Sequence, residues 1–293
     1  MTVAVKHSRG YESTLLSQTK RLLSRLDLKA KKSLGQHFLV DREVLAKVAE
    51  TAGLTPDDVV IEVGPGLGVL TGELAGKAGR VIAVELDDRL AGILRQRLAS
   101  AGNVTVINGD ILKLEPSALV GDKPIEYKVV ANLPYYITSA VIRHFLEASL
   151  KPRLMVVMVQ KEVAEAIVAE PGRMSLLSAS VQFYGRPEIV GYAPAGCFYP
   201  APEVDSAILR IIVYSRPAVA VDDRDGFFRL VRAGFTASRK QLANSLALGL
   251  GLPKAEVMPL LETAGIMYQR RAETLALEEW QRLWQALRER QKW

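Results

Sequence analysis

Residues 58–86 read "DVVIEVGPGLGVLTGELAGKAGRVIAVEL". An apolar run (58–64) leads into Gly64, Gly66 and Gly68. A helical stretch, "VLTGELAGKA", follows, and then a second apolar run (80–86). Strand, glycine turn, helix and strand therefore succeed one another. Strands that are apolar at consecutive positions are covered on both faces, which points to a parallel sheet.

The alternation continues outward. "NVTVINGD" (103–110), "YKVVANLPY" (127–135) and "RLMVVMVQK" (153–161) read as strands. "DRLAGILRQRLAS", "SAVIRHFLEAS" and "EVAEAIVAE" read as the helices around them. "LLSASVQFYG" (176–185) and "SAILRIIVYS" (206–215) are the last strand candidates. No helix separates them, only a loop rich in Pro and Gly, so an antiparallel hairpin is expected at one edge of the sheet. Upstream, "ESTLLSQTKRLLSRL" (12–26) has the leucine spacing of a short amphipathic helix. "KKSLGQHFLVD" breaks that periodicity, with a turn at Gly35. Asp41 caps the next helix, and Gly53 ends it. After Arg216-Pro217 only helical patterns occur, including "DGFFRLVRAGF" and "SRKQLANSLAL". The expected organisation is an arm (1–40), an α/β body (41–217) and a small helical domain (218–293).

The 293 residues are 49% hydrophobic and 24% charged, which is the balance of a globular protein. A single cysteine, Cys197, excludes an intrachain disulfide, so a reducing cytosol is the simplest compartment. No stretch approaches a membrane span, "MTVAVKHSRG" does not read as a secretory signal, and no metal site is expected. Net charge is +6. Residues 1–40 carry eight Lys and Arg against Glu12 and Asp27, so the arm alone accounts for the net charge. A basic arm on a neutral body suits a polyanion such as nucleic acid.

The glycine turn lets backbone N–H groups approach a ligand that a Cβ would exclude. Glu85 ends the next strand, placed to accept from ribose hydroxyls, and Asp110 ends the third. The ligand is a dinucleotide or S-adenosylmethionine. Acidic Glu62, two residues before the turn, disfavours a pyrophosphate and suits a sulfonium. The fourth strand stops at Asn132-Leu133-Pro134-Tyr135, because proline cannot continue a central strand. Such a group fits methyl transfer to an exocyclic amine. The Asn132 side-chain oxygen and the Leu133 carbonyl would accept from the amine as it gains positive charge. Pro134 would hold Leu133 extended, and Tyr135 would stack on an extracted base.

These residues resemble the ribosomal RNA adenine dimethyltransferases. The likeness runs through "KKSLGQHFLVD", "IEVGPGLGVLT", "VIAVELD", "NGDIL", "ANLPYYITSAVI", "VQKEVAEAI", "FYPAPEVDSAILRI" and "GFTASRKQLANSL". It implies a Rossmann-like class I methyltransferase sheet with a helical C-terminal domain. It also implies N6,N6-dimethylation of two adjacent adenines in the 3′-terminal hairpin loop of small-subunit rRNA, during small-subunit biogenesis. By position, His37, Leu39, Gly64, Gly66, Glu85, Asp110 and Asn132 would contact the cofactor, under a covering loop from the arm. His37 stands where the family often has Asn. Phe198 would form a second aromatic wall opposite Tyr135. "AEPGRMSLLSAS" departs from the family, which often has Tyr-Gly in that region. Lys31, Lys32, Arg229, Arg232, Arg239 and Lys240 would meet RNA phosphates. The expected partner is the immature small subunit, met by a cytoplasmic monomer. Two alternatives stand beside this reading: a large-subunit adenine methyltransferase of the antibiotic-resistance type, and an assembly checkpoint factor with secondary catalysis. A hydride-transferring dehydrogenase is more distant.

Overall fold

The computed structural model describes residues 14–31, 34–121 and 126–290. Among them a seven-stranded sheet runs in the order β4-β3-β2-β5-β6-β9-β7. Its strands are β2 (Val59–Val63), β3 (Arg80–Glu85), β4 (Val104–Asn108), β5 (Tyr127–Asn132), β6 (Leu154–Gln160), β7 (Gly185–Ala193) and β9 (Ser206–Val213). The first five in chain order pair in parallel, while β9 is antiparallel to both β6 and β7. The α/β sheet with an antiparallel edge is as the sequence pattern implied.

Period-two alternation divides the sheet residues between two apolar layers. Val60, Val130 and Val156 face α2 (Arg42–Thr51) and α3 (Val69–Ala75), meeting Leu45, Val48 and Leu74. Ile61, Val129 and Val157 face the other way, towards α6 (Thr138–Glu147), α7 (Lys161–Ile167) and α8 (Leu176–Tyr184). The same layer continues into α9 (Arg224–Phe235), α10 (Leu242–Leu250), α11 (Lys254–Thr263) and α12 (Leu277–Arg290), where Phe227 and Trp280 are fully buried. Three more helices complete the order: α1 (Leu15–Arg25), α4 (Asp88–Arg97) and α5 (Pro116–Val120). No helix among the described residues is long and apolar enough to cross a membrane.

The structure corrects three expectations. "LLSASVQFYG" is helix α8 rather than a strand. Ser175 and Ser178 cap it reciprocally, with N–H to Oγ distances of 3.1 and 2.6 Å. The stretch expected to be loop, with Pro187 and Gly191, is the edge strand β7. Proline is tolerated at an edge, and Gly191 sits at a register shift. The helix expected over "SRKQLANSLAL" begins only at Leu242, so Arg239 and Lys240 belong to the turn before α10. Pattern reading also gave no sign of a small antiparallel pair, β1 (Phe38–Leu39) with β8 (Phe198–Tyr199).

Candidate active site

The strand order reverses direction at β2, which lies between β3 and β5. In open α/β sheets ligands bind outside the carboxyl ends of strands at such a point. A pocket occurs there, lined by Glu62 to Leu67, Glu85, Asp110, Asn132 to Tyr136 and residues 34–39. The carboxyl ends of four adjacent strands thus bring together residues that are 70 positions apart in sequence.

The glycine turn has the required backbone. Gly64, Gly66 and Gly68 have φ of +65°, +58° and +79°. A Cβ on Gly66 would come within 3.1 Å of the Phe38 ring, and one on Gly68 within 2.5 Å of Leu94. Side chains here would strain the backbone and clash. The Gly66 N–H donates to Glu85 Oε2 and the Asp87 N–H to Oε1, both at 2.9 Å. Burial pushes the Glu85 carboxyl up, and these two N–H groups pull it back in part. A carboxylate has further lone pairs beyond those two bonds, so Glu85 retains acceptor capacity on the pocket side. Asp110 uses Oδ1 to cap the turn at Leu112, at 3.0 Å.

Glu62 is the least satisfied group in the pocket. It is 1% exposed, and its Oε2 has no hydrogen-bond partner. Burial pushes its pKa up to about 8, against the pull of the Thr71 hydroxyl and with added repulsion from Glu85. An orphaned buried carboxyl facing a pocket is complementary to a cationic ligand.

The tetrapeptide is held at every residue. Asn132 Nδ2 donates to the His37 carbonyl at 3.0 Å. A carbonyl only accepts, so this bond fixes the amide orientation and leaves Oδ1 as its acceptor. The Leu133 N–H donates to Met158 O at 3.1 Å, which ties the turn to β6. Pro134 (φ −58°, ψ 129°) opens a 3₁₀ turn, Tyr135–Ile137. The Tyr135 hydroxyl lies 2.7 Å from Ser206 Oγ. Burial raises the Tyr135 pKa, which keeps the ring neutral. The His37 ring stacks on Tyr135, with centroids 5.7 Å apart and planes 23° apart. His37 Nδ1 donates to the Pro200 carbonyl at 2.7 Å. One residue of the arm therefore touches the Asn132 amide, the Tyr135 face and the loop before β9.

Phe198 is 3% exposed and packs in the layer with Leu39 and Met158, at the pairing of β8 with β1. The ring opposite Tyr135 is His37. Leu39 is 5% exposed with its side chain in that same layer, although it also borders the pocket. Lys31 is bound to Asp87, Nζ to Oδ2 at 2.6 Å, which ties the segment before residues 34–39 to the strand end beside Glu85. Burial raises the Asp87 pKa, but Lys31 and the Leu90 N–H outweigh that and leave it below the usual range. Lys32 lies outside the described residues. Arg229 and Arg232 are exposed on α9, and Arg239 and Lys240 are exposed after it. Sequence reading missed Ser206 and Asp87 as supports. "FYPAPEVDS" and "VELDD" contained both, but nothing local marks which serine or aspartate reaches across the fold.

The family described as Ribosomal RNA adenine dimethylase matches residues 27–288. A relative from Dehalococcoides mccartyi, "Ribosomal RNA small subunit methyltransferase A", is 53% identical over 270 residues, covering 92% of each chain. Among solved structures, "23S rRNA methyltransferase ErmE" is 34% identical with a TM-score of 0.67, over 85% of this chain and 99% of that one. A dimethyladenosine transferase from Plasmodium falciparum is 26% identical with a TM-score of 0.71, over 84% and 96%. With the pocket at the carboxyl ends of β2 to β5, these likenesses establish that the chain belongs to the ribosomal RNA adenine dimethylase family, an S-adenosylmethionine-dependent class of enzyme that acts on rRNA.

Proposed function

We propose that this enzyme dimethylates N6 of two adjacent adenines in the 3′-terminal hairpin loop of small-subunit rRNA, on the immature subunit. The observation that carries the chemistry is the locked Asn132 amide, with Nδ2 on the His37 carbonyl and Oδ1 left as acceptor. The target is supported by the relative named for the small subunit at 53% identity, against 34% for the large-subunit structure.

The pocket's residues fit S-adenosylmethionine. Glu62 offers an unpaired carboxyl to its cationic portion, Glu85 offers acceptors to ribose hydroxyls, and the glycine turn leaves room for the chain between them. When bound, that cofactor supplies an electrophilic methyl group. The remaining chemistry belongs to the protein. Asn132 Oδ1 and the Leu133 carbonyl would accept the two N–H bonds of the adenine amine, favouring a tetrahedral nitrogen as its charge grows. No strong base is required, because the proton is lost after transfer. Tyr135 would stack on the extruded base, its ring angle set by Ser206. His37 would close the opposite side; a centroid separation of 5.7 Å must widen to admit a base between the rings.

Residues 218–293 form our proposed RNA-contacting domain, with Arg229, Arg232, Arg239 and Lys240 meeting phosphates. The protein would work as a cytoplasmic monomer. Transfer of labelled methyl groups to unmethylated small subunits, followed by nucleoside analysis, tests the reading. N6,N6-dimethyladenosine at the 3′ end is expected. Label on large-subunit rRNA alone would overturn it.

A further inference from the structure

A second cleft, of about 320 Å³, lies beside the catalytic turn, where α6, α8 and α9 meet. It begins at Ser139, two residues beyond the Tyr135–Ile137 turn, and follows α6 past Arg143. From α9 come Arg224, Phe228 and Arg232, one helical turn apart, which puts all three on one face. From α8 come Leu177 and Tyr184. Leu177 belongs to the stretch that departs from the family pattern.

The charges in this cleft do not cancel. Arg143 forms a two-pronged pair with Glu147 (2.9 and 3.3 Å), and Arg224 meets Asp225 at 3.8 Å. The Arg232 side chain has no ion-pair or hydrogen-bond partner among the described residues. One guanidinium is left over, which matches the single charge of a phosphodiester. Tyr184 makes an independent case. It is 4% exposed, and its buried hydroxyl has no acceptor for its proton, although the Arg224 side chain lies close enough to donate to it. Burial raises its pKa, with Arg224 pulling the other way, so the hydroxyl stays a donor. A buried donor without an acceptor is costly unless a ligand supplies one. Beside these polar groups, Leu177 and Phe228 present an apolar wall of the kind a nucleobase packs against.

We propose that this cleft holds one nucleotide of the rRNA substrate, its phosphodiester on Arg232 and the Tyr184 hydroxyl and its base against Leu177 and Phe228. The proposal rests on the rRNA reading above and gives the enzyme a second grip on RNA, next to the reacting adenine.

The test uses the full chain and unmethylated small subunits. Arg232→Gln and Tyr184→Phe should each raise the KM for subunits about 3- to 10-fold, and Arg232→Gln should lower the salt slope of binding by about one. Leu177→Trp, which fills the cleft and leaves its charges in place, should raise KM likewise. Photocross-linking of 4-thiouridine-substituted subunits should label residues 176–184. Unchanged KM and salt slope in well-folded variants would overturn the proposal. AMP or inorganic phosphate binding in the cleft, with subunit KM unaffected, would also overturn it, because the occupant would then be a free nucleotide or ion. Failure of the unaltered enzyme to methylate small subunits would instead sink the wider reading.

Discussion

The two ends of the central sheet treat buried carboxylates in opposite ways. At the amino end, Asp58 opens β2 and is 6% exposed. It receives Lys128 Nζ at 2.9 Å, Arg153 at 2.6 Å and the Thr55 N–H at 2.7 Å. Lys128, itself 4% exposed, also donates to the carbonyls of Ala52 and Gly53. Burial pushes the Asp58 pKa up, and these donors more than reverse it. At the carboxyl end of the same strand, Glu62 is just as buried but lacks a cation, and its pKa goes up to about 8. Asp58 and Glu62 are four positions apart, one paired within the fold and the other left unpaired, as we propose, for a ligand. Polar groups buried without partners cost stability, and a fold tolerates them where function needs them.

Predictions follow this contrast. The largest effect belongs to Asn132→Ala at the carboxyl end. It should lower the rate of methyl transfer about 10²- to 10³-fold in single-turnover assays, with the melting temperature nearly unchanged, as for loss of an oriented acceptor. The converse is expected at the amino end. Lys128→Met leaves the Asp58 charge short of its closest buried partner and should cost about 3 kcal/mol in denaturant unfolding, with transfer per folded molecule preserved. Tyr135→Phe keeps the stacking ring and removes only the bond to Ser206. It should slow transfer about 5-fold, matching roughly 1 kcal/mol for one hydrogen bond.

The sheet was legible because β2, β3, β5 and β6 are apolar at successive positions and the glycine turn has one local meaning. That Asn132, Glu85 and Asp110 would gather at one pocket was legible because Asn132 and Glu85 end strands and Asp110 follows β4 by two residues, all at the carboxyl edge of the sheet. The errors share a cause. α8 alternates Leu177, Ala179, Val181 and Phe183 with Ser178, Ser180 and Gln182, which is the period of a strand, and only its serine cap decides for helix. β7 carries Pro187 and Gly191, which signal a loop until the strand is known to be an edge. The seating of Phe198 at the β1–β8 pair and the Lys31–Asp87 ion pair were not legible either, because each depends on a partner far away in sequence. Contacts of that range leave no local trace.

The contrast between the two sheet ends is tested most directly by melting Glu62→Gln and Asp58→Asn beside the unaltered protein, without cofactor, from about pH 5.5 to about pH 8.5. A carboxyl whose folded pKa is raised stabilises the fold only while protonated, so the unaltered protein should lose stability between 4.5 and about 8. Glu62→Gln escapes that loss. Its advantage should grow with pH to a ceiling of ~5 kcal/mol. Asp58→Asn should destabilise throughout this range, because a lowered pKa contributes above the unfolded value of 3.8. Opposite signs at pH 8 are the predicted result. Loss of stability in both variants, with no pH dependence for Glu62→Gln, would contradict the account.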